Sequence, residues 1–123
     1  MSEEPGPIPG KTFDEWLADT SPKIAKYQKM IEESLSRDRL GLSEQATLTE
    51  DANANIKDIL SQANAWLDWT EYQEIMKIDR DLTVPERSIR LKVKVMPQRM
   101  LRDKIAGIAE SLKARMRRAQ YLA

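Results

Sequence analysis

A chain of 123 residues that is 41% apolar and 33% charged reads as one domain with a modest core and extensive charged faces. It contains no Cys and no His, which excludes disulfides, thiolate nucleophiles, imidazole acid–base catalysis and ordinary zinc ligation. The net charge of zero hides an asymmetry: residues 1–81 hold 9 Lys/Arg against 17 Asp/Glu, a net of −8, and residues 82–123 hold 11 against 3, a net of +8.

Only four Gly and six Pro argue against a turn-rich all-β fold. The expected class is all-α: a long antiparallel helical hairpin with one or two shorter N-terminal helices and an extended N-terminal arm. No run of 18 apolar residues is present, so no membrane-spanning helix and no membrane partner are expected. The N-terminal stretch MSEEPGPIPG has neither the basic nor the apolar region of a signal peptide, and the expected location is cytoplasmic.

Residues 1–11, with three of the six prolines, read as the extended arm, and residues 12–123 as a single helical domain. Thr12 and Glu15 have capping-box spacing, and Phe13, Trp16 and Leu17 would form one face of a helix of at most two turns. Ser21 before Pro22 predicts a second start, followed by Ile24, Tyr27, Ile31 and Leu35 at helical spacing. Gly41 is expected to end that helix near Leu40. Ser43 or Thr49 would then open a long helix to about Asp79, its face carrying Ile56, Ile59, Trp66 and Leu67.

The segment DLTVPERS reads as a turn and a new start, with Thr83 and Glu86 at capping-box spacing and Pro85 in the first turn. The next stretch, SIRLKVKVMPQ, is ambiguous. Ile89, Leu91, Val93 and Val95 alternate with Arg90, Lys92 and Lys94 as in a half-buried strand. On a helix, Ile89, Val93, Met96 and Met100 make one apolar stripe, while Leu91 and Val95 make a second on nearly the opposite side. Pro97 would kink such a helix. The expectation is therefore a helix over 84–121, with a kink or short strand-like break near 88–97. A helix that is apolar on two sides has two neighbours, so Leu91, Val95 and Met96 are the expected contacts of a homo-oligomer.

Catalytic constellations are scarce, and no catalytic residue, cofactor or metal ligand is expected. Glu71, Glu74, Asp79 and Asp81 are carboxylates of the kind that bind Mg²⁺, but acids near a helix end are usually solvated. The basic set is more informative. Arg87, Arg90, Lys92, Lys94, Arg99, Arg102, Lys104, Arg115 and Arg118 recur at the density that phosphate neutralisation requires, which predicts sequence-independent, salt-sensitive binding of single-stranded DNA. Trp69 and Tyr72 would add base stacking if exposed. The competing reading is a basic part that packs on, and neutralises, the acidic part.

The stretch ANAWLDWTEYQEIM, the turn leading into TVPERSIRLKV, and the basic helix RMLRDKIAGIAESLKARMRRAQYL together resemble small bacteriophage proteins classed with the recombination mediators of the T-even type. The resemblance covers about half the chain. It implies a phage-encoded accessory protein without enzymatic activity that works as an oligomer in the host cytoplasm. It also implies two protein partners, a recombinase and a single-strand-binding protein. The proline-rich arm and the two-sided helix equally suit a structural assembly protein of a phage particle, found in the virion.

Overall fold

A computed structural model describes residues 6–122, and among them the chain is all-α. The four helices are α1 (Phe13–Glu32), α2 (Arg39–Lys77), α3 (Val84–Lys94) and α4 (Met96–Leu122). Helix α2 packs chiefly on α4, and α1 lies against both. Arg99 meets Glu71 and Arg102 meets Asn64, so α2 and α4 run antiparallel as the two arms of a hairpin.

Both capping boxes form as the spacing predicts, at Thr12–Glu15 and at Thr83–Glu86. The expected start at Ser21 does not exist, because α1 passes straight through Pro22. Pro22 faces solvent, and the Ser21 hydroxyl donates to the Leu17 carbonyl one turn back. The buried face of Trp16, Thr20, Ile24 and Tyr27 spans the proline, and its packing outweighs the lost backbone bond.

Gly41 does not end a helix but lies in the first turn of α2, and neither Ser43 nor Thr49 is a start. Asp38 is the N-cap, accepting from the Gly41 N–H at 2.7 Å. Ser36 presses so closely on this turn that a Cβ at position 41 would stand 2.2 Å from its Oγ. A side chain-free residue is needed here for approach, not for helix termination.

Helix α2 has 39 residues, about 58 Å at 1.5 Å per residue. Leu42, Thr49, Ile56 and Ala63 recur on its buried side every seven residues, as do Ile105, Leu112 and Ala119 on α4, the spacing of a coiled-coil seam. Past Ala63, in the C-terminal third of α2, stands Trp66, 1% exposed, with edge contacts to Phe13 at 5.6 Å and Trp69 at 5.7 Å between ring centroids. Trp16 leans on the same cluster, and its indole N–H donates to Gln62 Oε1 at 2.7 Å.

From residue 6 on, the N-terminal segment is not a free arm. Ile8 packs on the core, and Gly6 sits so near Trp66 that a Cβ there would meet the indole at 2.7 Å. Residues 1–5 of the expected arm lie outside the described residues.

The ambiguous stretch is helical, and no strand occurs among the described residues. The break falls at Val95 rather than at Pro97. Val95 has φ −99° and ψ 4°, and its N–H is shared between the carbonyls of Leu91 and Val93. Pro97 leaves the Val93 carbonyl without its usual donor four residues on, so the Val95 N–H fills part of that vacancy. The Val95 side chain is 0% exposed and anchors the elbow inside the fold.

Candidate nucleic-acid interface

The elbow decides which side of α3 is free. Leu91 and Val95 turn inward, Leu91 half-buried and Val95 fully buried within the same chain. Val95 therefore offers nothing to a second subunit, and its place in the expected oligomer contact is corrected. The stripe left outside is the other one: Ile89, Val93, Met96 and Met100 are all exposed. Of the three expected oligomer residues, Met96 alone is exposed, and it belongs to this outer stripe.

No residue of α3 is buried. This 11-residue helix is held by its capping box and by the Val95 anchor. Arg90, Lys92 and Lys94 are all exposed and interleave with the outer stripe, so the free face of α3 is an apolar strip between cations. Arg87 is half-buried, and its Nε donates to the Leu82 carbonyl at 3.0 Å.

The cations of α4 do not form one track. Arg99 and Arg102 point toward α2, where Arg99 pairs with Glu71 at 3.4 Å and Arg102 donates to Asn64 at 3.4 Å and to Asp103 at 2.7 Å. Lys104 lines a groove with Ser21, Ile24 and Gln28 of α1. Arg115 donates to the Glu33 carbonyl, and with Arg118 it borders a second groove at the α1–α2 connection. At 3.6 residues per turn, Arg99 and Arg102 occupy one flank of α4, and Lys104, Arg115 and Arg118 the other. The expected continuous line from Arg99 to Arg118 is thus split by the core-facing side of the helix.

The two expected stacking residues also part company. The Trp69 ring is half-buried and committed to its edge contact with Trp66, whereas Tyr72 is 61% exposed. Stacking by Trp69 is corrected by that packing, and Tyr72 remains accessible.

The acidic and basic parts pack together through α2 and α4 but pair little directly. Among the described residues a single ion pair joins them, Arg99 with Glu71. Arg90, Lys92, Lys94, Lys104, Lys113, Arg117 and Arg118 make no ion pair or side-chain hydrogen bond there. Asp79 is used locally, its carboxylate accepting from the Asp81 N–H at 2.9 Å in the turn before α3. Among the described residues, no three His, Cys, Asp or Glu side chains gather as they would around a metal ion, and no helix is long and apolar enough to cross a membrane.

Sequence reasoning missed a groove of about 490 Å³ at the hairpin tip, walled by Ile75, Met76, Ile78, Val84 and Leu91 together with Arg80 and Arg87. Its apolar walls come from both sides of the turn, Ile75, Met76 and Ile78 before it and Val84 and Leu91 after it, so no single segment signals it. Compared with known proteins, the chain matches no family model, no curated protein and no solved structure.

Proposed function

We propose that the protein is a non-enzymatic single-stranded-DNA-binding accessory protein that meets the strand with the outer face of α3. One observation carries this reading: the cations Arg90, Lys92 and Lys94 are exposed, lack acidic partners among the described residues, and flank an exposed apolar strip. A single strand offers both chemistries at once, phosphates on one edge and uncovered base faces on the other. A duplex hides its bases, so Ile89, Val93 and Met96 would gain nothing from it. Tyr72 is the one aromatic of the expected pair with its ring accessible for stacking. Recombination-mediator work beside a recombinase and a single-strand-binding protein is the setting that the resemblance implies.

The test is the anisotropy of a labelled oligonucleotide titrated over a salt series. Each phosphate contact on a single strand contributes roughly 0.7 to the log–log slope, so converting Arg90, Lys92 and Lys94 to Ala should lower the slope by about 2. The weakening should be alike for all base sequences. Absence of salt-sensitive binding by the wild type, or an unchanged slope in the triple variant, sinks the proposal.

A second reading, a structural assembly protein of a phage particle, is favoured by the tip groove. Such a protein would bury that groove against another chain and ignore oligonucleotides at moderate salt.

A further inference from the structure

Apart from the outer stripe of α3, the large exposed apolar side chains collect at the two ends of the hairpin. At the tip are Ile75, Met76 and Val84 around the groove. At the base are Leu40, 85% exposed, and Leu48, 53% exposed, both on the first turns of α2. The base lies opposite the tip: the C-terminal end of α4, with Arg118 and Leu122, borders the α1–α2 connection that precedes α2. Leu40 and Leu48 are two helical turns apart, and Glu44 lies midway between them, with Asp51 one turn further on.

The ends are opposite in charge where they are apolar. The tip groove has Arg80 and Arg87 in its walls. The base strip has Glu44 and Asp51, both exposed and both without an ion pair among the described residues. Along one continuous helix, Leu48 and Ile75 are about 40 Å apart, so the two surfaces of one chain cannot meet. A tip-to-tip contact would set Arg80 and Arg87 of two chains together, and a base-to-base contact would do the same with Glu44 and Asp51. Among these four charges, tip on base brings opposite signs together, and it covers both apolar patches.

We infer that the occupant of the tip groove is a second copy of this chain, which inserts Leu40 and Leu48 and sets Glu44 and Asp51 against Arg80 and Arg87. The contact is heterologous. Each added chain leaves one free tip and one free base, so growth proceeds until a ring closes or a filament runs on. The contact uses the inner side of α3 and leaves Arg90, Lys92 and Lys94 outside, so it does not depend on the DNA reading.

The test uses two full-length variants, Leu40→Asp/Leu48→Asp at the base and Ile75→Asp/Val84→Asp at the tip. All four positions are exposed, and unchanged circular dichroism verifies that both variants fold. Sedimentation velocity should show the wild type growing with concentration beyond two chains. Each variant alone should remain at the monomer mass of 14.2 kDa. Mixed in equal amounts, they should form a pair of twice that mass and stop, because each supplies the surface that the other lacks. A wild type that stays monomeric at tens of micromolar overturns the inference. So does a base variant that still dimerises, which would mean tip on tip, and so does a mixture that fails to pair. A wild type that sediments with anionic vesicles through the tip, lost in the tip variant but kept in the base variant, would assign the groove to a lipid surface instead. The Arg90, Lys92 and Lys94 triple variant should keep wild-type sedimentation, which separates failure here from failure of the DNA reading.

Discussion

Gly41 and Gly107 both lie inside helices, and Ala at each should move stability in opposite directions. At Gly107 a Cβ meets nothing within 4 Å, so the change simply removes glycine's backbone freedom in the unfolded chain, a gain of about 0.5–1 kcal/mol. At Gly41 the same helix gain competes with a clash. The new methyl group would stand 2.2 Å from Ser36 Oγ, 2.7 Å from Ser36 Cβ and 3.2 Å from Asp38 Oδ1. Ser36 cannot swing aside freely, because its N–H donates to Gln45 Oε1 at 2.7 Å and its hydroxyl donates to Asp38 at 3.3 Å. Displacing it strains the loop by about 1–3 kcal/mol and loosens the Asp38 cap, worth about 1 kcal/mol more. Set against a helix gain of about 1 kcal/mol, Gly41→Ala should destabilise by about 1–3 kcal/mol. Urea unfolding followed by circular dichroism should place the Gly107→Ala midpoint above wild type and the Gly41→Ala midpoint below it, with similar slopes. A Gly41→Ala protein as stable as wild type would mean that Ser36 does not pack on this turn, and the account of how α2 begins would fail.

Other substitutions test other joints of the fold. Pro22→Ala should stabilise by about 2 kcal/mol, the roughly 3 kcal/mol cost of an interior helical proline less about 1 kcal/mol for a more flexible unfolded chain. A lowered urea midpoint would mean that α1 does not run unbroken through residue 22. Thr83→Ala removes the α3 capping box, worth about 1 kcal/mol, and because α3 buries nothing the loss should appear locally. Amide exchange over residues 87–94 should speed several-fold while the melting temperature barely moves, whereas a large global shift would mean that α3 is integral to the core. Asn53 is 6% exposed with its side-chain carbonyl unpartnered among the described residues, so Asn53→Leu should stabilise by about 1–2 kcal/mol in thermal melts. Destabilisation there would reveal a partner for that oxygen.

Much of the hairpin was legible in the sequence because its signals are local. The boxes at Thr12 and Thr83 depend on residues three apart, and the α4 face from Ile105 to Ala119 repeats at helical spacing. What misled was punctuation. Pro22 and Gly41 normally stop or start helices, yet Pro22 rides on an exposed face over a buried stripe, and Gly41 answers to Ser36, which no local pattern names. The alternation from Ser88 to Val95 suits a strand and a two-sided helix equally. The choice was made by the capping box and by the buried Val95, a tertiary contact. The basic residues were visible as a set, but their division among α2, α1 and solvent was not, since it depends on the rotation of α4 against its neighbours. The tip groove arises where α2 and α3 end beside each other, a juxtaposition that no single segment encodes.

The antiparallel register of α2 and α4 also governs how the chain can be made. The first turns of α2, around Leu42 and Thr49, emerge early from a ribosome, while the α4 seam that runs back to that end finishes only at Ala119, itself 0% exposed. Until the turn carrying Ala119 is synthesised, the first turns of α2 lack their cover from α4. Folding at that end is thus a late event, released by the final turns of α4. The turns of α4 around Ala119, poor in recognisable motifs, work as the latch that closes the hairpin over the start of α2.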